Sequence, residues 1–269
     1  MRSRLVGFAL ALAAFPMFSS ALRAQTVAPS EAAKAQRASA AARIPDLSGL
    51  WGPRPGGGKL NNWDPADPGG GKPDQAPMTP SAAAKFKDVR PPFGANQTFE
   101  GINDPVQKYC DPPGVTRIYM YPWEFTFIQT PKVIYILYEF TRVWRVIALD
   151  RQHPTDPDST WLGDSIGRYE DDTLVVDTIG FNDKTWLDHV GHPHSDALHV
   201  VERFRRVDPD TLELSVTIED PKAYTKPLSG KKLFRLTTSP MGEAICAYSE
   251  MESFQEKVID PTTAKPPNK

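Results

Sequence analysis

The residues best suited to proton or metal chemistry crowd into one short stretch. Four of the five histidines, His189, His192, His194 and His199, fall within eleven residues, beside Asp188 and Asp196. Gly191 and Pro193 break any helix or strand there, so the stretch reads as a loop, where reactive groups commonly sit on a rigid scaffold. Imidazole titrates near neutral pH, and a neighbouring carboxylate can orient and tune it. His189 with Asp188 as its orienting group therefore reads as a catalytic acid–base pair, with Asp183 and Asp196 as further carboxylates nearby. The order H-x-x-H-x-H also offers His189, His192 and His194 as metal ligands, with zinc the natural ion for three protein ligands and one open position. The spacing matches no strong zinc signature, and Pro193 limits how His192 and His194 converge, so no cofactor is firmly implied. A third reading leaves these side chains hydrogen-bonded to the loop backbone or facing water.

Other chemistry depends on which way strand residues point. Over 197–207, Leu198, Val200, Glu202 and Phe204 share a face. Glu202 thus sits among apolar neighbours, where an unpaired charge is expensive and must be paired or protonated. It joins His189 and Asp188 as a candidate catalytic group. Leu162, Asp164, Ile166 and Arg168 share a face in the same way, and Asp177 lies between Val175 and Ile179. Arg168 and Asp177 are therefore candidate ligand-binding groups, or partners in a buried ion pair, Arg168 with Glu202 or Asp177. Aromatic residues crowd between Tyr119 and Trp144. Tyr121, Trp123 and Trp144 could contact a small hydrophobic or aromatic molecule, although most of this set should be core and strand surface. Gly163-Asp164-Ser165-Ile166-Gly167 spells G-x-S-x-G, but it lies in a strand pattern with no helix after it, unlike a nucleophile elbow.

The elements that must position these groups are short strands. Stretches 124–130, 132–139 and 142–149 are rich in aromatic and β-branched residues. Stretches 162–169 and 173–179 flank Glu170-Asp171-Asp172, and 197–207 and 211–219 flank Asp208-Pro209-Asp210, both hairpin signals. Residues 211–219 alternate apolar and polar without a break. Adding 231–237, 243–248 and a first strand at 44–51 gives ten candidates joined mostly by short connections. The expected fold is mainly β, an antiparallel meander that hides its edges by closing into a barrel, with a β-sandwich as the alternative. Thirteen of the 27 prolines fall between Pro45 and Pro113, a density that argues against a central sheet there. Residues 45–113 therefore read as the first strand followed by a Pro/Gly-rich wrapping loop, with a short helix over 79–89 capped by Thr79. The barrel core is expected over 114–255, and 256–269 form a tail.

Composition narrows the partners. With 31 Lys+Arg against 33 Asp+Glu and a net charge of −2, nothing points to nucleic acid or to an anionic membrane surface. Arg2, Arg4 and the apolar run 5–18 read as a signal peptide ending near Ala24, too short for a membrane span. A mobile leader, 25–44, follows. Export to the periplasm or medium would make Cys110 and Cys246 a disulfide. The oligomeric expectation is a monomer or small homo-oligomer.

Two resemblances add to this. Gly49-Leu50-Trp51 ahead of a meander resembles the lipocalin-type G-x-W, whose tryptophan plugs the closed end of the barrel. The stretches PDLSGLW (45–51), PWEFTFIQTPKVIYILYE (122–139) and TWLGDSIGRYEDDTLVVDTIGFNDKTWLDHVGHPHSDALHVVERFRRVD (160–208) resemble a widespread uncharacterised family of exported bacterial β-rich proteins. That resemblance implies export and a β-rich fold and carries no catalytic residue. The expected function is that of a small exported enzyme using His/carboxylate acid–base chemistry, as a lyase, isomerase or hydrolase. The alternative is a non-catalytic periplasmic binder using the same pocket.

Overall fold

A computed structural model describes residues 44–60, 76–92 and 101–247. The chain divides into a unit spanning Met1–Ala41 and one spanning Ala42–Lys269, and the described residues all belong to the second. The expected signal peptide, nearly all of the leader and the tail at 256–269 lie outside the described residues.

Nine strands close into one barrel in sequence order. They are β1 (Leu50–Lys59), β2 (Phe125–Gln129), β3 (Val133–Tyr138), β4 (Trp144–Ala148), β5 (Asp164–Glu170), β6 (Thr173–Ile179), β7 (His199–Asp208), β8 (Thr211–Glu219) and β9 (Leu228–Thr237). β9 pairs antiparallel with β1 and closes the ring. The meander and the hairpins at 171–172 and 209–210 form where the turn residues predict them. Two short helices precede β2, α1 (Pro80–Lys87) and α2 (Pro105–Tyr109). The Thr79 side chain caps α1 by accepting from the Ala82 amide, with Pro80 in the first turn.

Four features correct the sequence reading. The first strand begins at Leu50, not near residue 44, and runs on through Pro53 and the glycines to Lys59. Prolines are tolerated there because β1 touches β2 only through Leu50 and Trp51, and its pairing with β9 shifts register between Pro53 and Gly58. β4 and β5 pair in parallel through Ile147 and Ala148, so residues 149–163 cross over from one end of the barrel to the other. No strand forms over 243–247, where Ile245 is exposed. On β5 and β6, Ser165 and Thr178 face the interior, hydrogen-bonding Arg145, so Asp164, Arg168 and Asp177 point outward. The alternation was right and its phase was wrong, because outer positions on these strands also carry Ile166 and Val175.

The interior is packed. Tyr119, from the 3-10 turn Arg117–Met120, inserts among Phe125, Tyr138, Phe204 and Phe234 at centroid distances of 5.4 to 6.2 Å. Its hydroxyl pairs with that of Tyr138 at 2.7 Å. Trp51 is fully buried, donates its indole N–H to the Leu47 carbonyl, and lies under the Arg206 guanidinium. Strand directions put the tight turns 130–132, 171–172 and 209–210 at one end. The long connections 60–124, 180–198 and 220–227 share the other, and the histidine stretch lies there.

Candidate functional site

The histidine loop is pinned from within. Asp188 Oδ1 accepts the amides of Val190, Gly191 and His192, and Oδ2 accepts from His192 Nδ1 at 2.5 Å. Burial works against the Asp188 charge, but His192 and the amides outweigh it and hold the carboxyl below its ordinary value. His192 stacks on Phe86 of α1, with centroids 4.7 Å apart and rings 5° from parallel. Gly191, at φ +95°, lets Val89 approach so closely that a Cβ would fall 2.0 Å from its methyl group. The start of α1 is fastened to the 220–225 connection through Thr79 N–H to the Ala223 carbonyl and Thr225 N–H to the Pro77 carbonyl.

Between α1, the histidine loop and the 220–225 connection lies a cleft of about 360 Å³, lined by Ser81, Lys85, Asp183, His194, Ser195 and Lys222 among others. A neighbouring recess of about 190 Å³ shares Lys85, Asp183, Pro193 and His194 and adds Asn103, Lys184 and Thr185. Both recesses meet at His194. Its Nδ1 faces the Ser195 carbonyl at 3.1 Å and its Nε2 faces Thr185 Oγ1 at 2.6 Å. A carbonyl only accepts, so Nδ1 carries the proton and Nε2 receives the threonine hydroxyl. Burial lowers the His194 pKa, which keeps the ring neutral. Ser195 is held by Asp220, which accepts both its amide and its hydroxyl. Lys222 pairs with Asp196 at 2.6 Å, whereas Lys85 meets Asp183 only at 3.9 Å.

The groups predicted from sequence fall in separate places, with Asp188 on His192 and His189 on Tyr121 at the loop, Glu202 inside the barrel and Arg168 and Asp177 on its outer wall. His189 is buried, tilted against Tyr121 with centroids 4.5 Å apart, and burial with the nearby Arg117 charge pushes its pKa down to about 3. The carboxylate expected to orient it, Asp188, holds His192 and the loop amides. Glu202 does point inward, but into the barrel, where it meets Arg145 at 2.6 Å rather than Arg168 or Asp177. Arg168 is on the outer wall with Glu170. Tyr121 and Trp123 flank Phe140 in a stack, and Trp144 is 63% exposed on the outer face of β4. Among the described residues no group of three or more His, Cys, Asp or Glu side chains is placed to hold a metal ion. His194 has both ring nitrogens engaged, Nδ1 with the Ser195 carbonyl and Nε2 with the Thr185 hydroxyl, which leaves neither turned to a metal.

Sequence reasoning missed Thr185, nine residues before His194 in the same connection, and Lys85 and Lys222, which line the cleft from two other connections. It also missed an outer array. His153 lies between Asp164 (Nδ1, 2.6 Å) and Asp177 (Nε2, 3.2 Å), Asp177 also meets His199 Nε2 at 3.0 Å, and His199 Nδ1 lies 3.5 Å from Glu219. Arg151 pairs with Asp164 and holds its carboxyl below the ordinary value.

Comparison of the chain with protein-family models and with curated proteins gave no match. Function must therefore be argued from the site itself.

Proposed function

We propose that the protein is an exported small enzyme performing acid–base chemistry on a polar small molecule bound in the α1 cleft, with His194 as the proton acceptor. The observation that carries this is the fixed tautomer of His194. Its Nδ1–H is spent on a backbone carbonyl, and its Nε2 accepts a hydrogen bond from the Thr185 hydroxyl at 2.6 Å where two recesses meet. A neutral, oriented imidazole beside a cavity is the arrangement that general base catalysis needs. The reaction class stays within lyase, isomerase or hydrolase chemistry. The substrate differs from the hydrophobic or aromatic one expected from sequence, because Lys85, Asp183, Asp196 and Lys222 make the lining polar. Export is supported by the Cys110–Cys246 disulfide and by the basic and apolar pattern at the N-terminus. Membership of the exported bacterial family belongs to the same proposal.

The reading is tested with His194→Gln against a panel of small esters, lactones and hydroxy acids. Loss of the base should lower kcat by about 10²–10⁴-fold while substrate still binds. Because burial lowers the His194 pKa, the wild-type rate should hold level through neutral pH. It should fall only on the acid side of the ordinary imidazole range, where the base becomes protonated. Activity already lost between about pH 7 and 6, or a fully active glutamine variant, would contradict it. Binding without turnover across the panel would leave the cleft a binding site.

A further inference from the structure

We propose that Thr185 is a covalent nucleophile, so that the cleft carries out acyl transfer from small esters or lactones through an acyl-threonine. This rests on the reading of His194 as the base of the cleft and adds the group that attacks. Three observations support it. The Thr185 hydroxyl donates to Nε2 at 2.6 Å, and the far side of the ring is anchored on the Ser195 carbonyl, giving nucleophile, base and orienting group in one line. Thr185 lines the smaller recess together with Lys85, Asp88, Asp183 and Lys184, a charged wall in which Lys85 acts on the His194 ring while the Lys184 ammonium lies over Trp161. The Lys85–Asp183 contact is long and both side chains are more than half exposed, so this lysine can turn to a substrate carboxylate or a developing oxyanion at little cost.

Two competing hydroxyls are engaged elsewhere. Ser195 Oγ donates to Asp220 and accepts the Ala197 amide, which makes it a loop fastener. Ser165, the serine of the G-x-S-x-G letters, is buried in the barrel between Arg145 and Thr178. In the proposed step, Thr185 Oγ1 bonds to the ester carbonyl carbon as its proton passes to His194 Nε2. The carbon–oxygen bond to the leaving alcohol then breaks, and that alkoxide takes the proton back from His194. Water, deprotonated by the same nitrogen, attacks the acyl-threonine. The acid departs and the proton returns to Thr185, so no oxidant, reductant or further reactant is consumed.

The test treats the full chain with a fluorophosphonate, which would transfer its phosphonyl group to Thr185 Oγ1 with loss of fluoride. Labelling is located by peptide mass, and hydrolysis of p-nitrophenyl acetate is followed in parallel. Thr185→Val, Thr185→Ser and His194→Gln are compared after a circular-dichroism check of their folding. The expected result is one label, on the peptide carrying Thr185, present in wild type and in the serine variant. It should be absent in the valine variant and form at least tenfold more slowly in the glutamine variant. A wild-type protein whose Thr185 stays unlabelled overturns the proposal. Ester hydrolysis lost in His194→Gln but kept in Thr185→Val also overturns it and leaves His194 standing as a general base. Hydrolysis indifferent to both substitutions removes both readings.

Discussion

At the scale of single residues, charges decide where this chain is rigid. Arg145 and Glu202 are fully buried inside the barrel and meet at 2.6 Å, with Ser165 and Thr178 hydrogen-bonded to the guanidinium. A second buried pair, Arg117 with Asp104 at 2.5 Å, anchors the 3-10 turn Arg117–Met120 to the N-cap of α2. Replacing one member of such a pair strands the other charge in a medium that cannot solvate it, at about 3–5 kcal/mol. Glu202→Leu should therefore lower the urea midpoint strongly, whereas Glu202→Leu with Arg145→Met should recover most of the loss. A double variant no more stable than the single one would mean that the pair does more than satisfy itself. The inward direction of Glu202 was legible from alternating apolar neighbours. Its partner was not, because choosing among arginines requires the phase of β4 and β5, and both faces of those strands carry apolar residues.

At the scale of elements, legibility followed local chemistry. The α1 start was readable because Thr79-Pro80 is a capping pattern, and the hairpins because Asp-rich turns separate alternating strands. β1 was misread because its pairing depends on a seam formed with β9, more than 170 residues later in the chain. That seam also explains Gly230, on β9. Leu60, the residue after β1, lies so close that a Cβ on Gly230 would fall 2.1 Å from its carbonyl oxygen. Neither backbone can give way without breaking the β1–β9 or β8–β9 ladder. Gly230→Ala is expected to destabilise by about 1–3 kcal/mol through overpacking, read as a lower denaturation midpoint with an unchanged slope. Unaltered stability would show that the Leu60 carbonyl is not held against β9. The site was illegible for a related reason: α1, the histidine loop and the 220–225 connection meet only after the barrel has closed.

At the scale of the whole molecule, the barrel is asymmetric, and its covalent tie lies outside it. Tight turns close one end, while the long connections gather at the other and build the cleft there. The chain beyond β9 forms no strand over 241–247. It is held by Gly242 N–H to Glu139, by Arg142 with Glu243, and by the Cys110–Cys246 disulfide to the end of α2. The Arg142–Glu243 pair is exposed and contributes little, and the Gly242 amide makes a single hydrogen bond to the buried Glu139, about 1–3 kcal/mol, so the disulfide should dominate. It closes a loop of 136 residues, for which chain entropy gives a stabilisation of about 4–5 kcal/mol. Both bridged segments lie outside the strands, so the bond constrains the unfolded chain without shaping the barrel. Reduction, or Cys110→Ser with Cys246→Ser, should lower Tm by about 8–20 °C yet leave the far-ultraviolet circular dichroism of the folded protein unchanged. The Cys110 anchor is connected through α2 and the buried Asp104–Arg117 pair to the 3-10 turn Arg117–Met120, and Gly114 and Thr116 carry the contact on to Thr185 and Leu187 of the histidine loop. If the reduced protein instead lost its β signal, the tail would be part of what closes the barrel, and the division between wall and wrap would have to be redrawn.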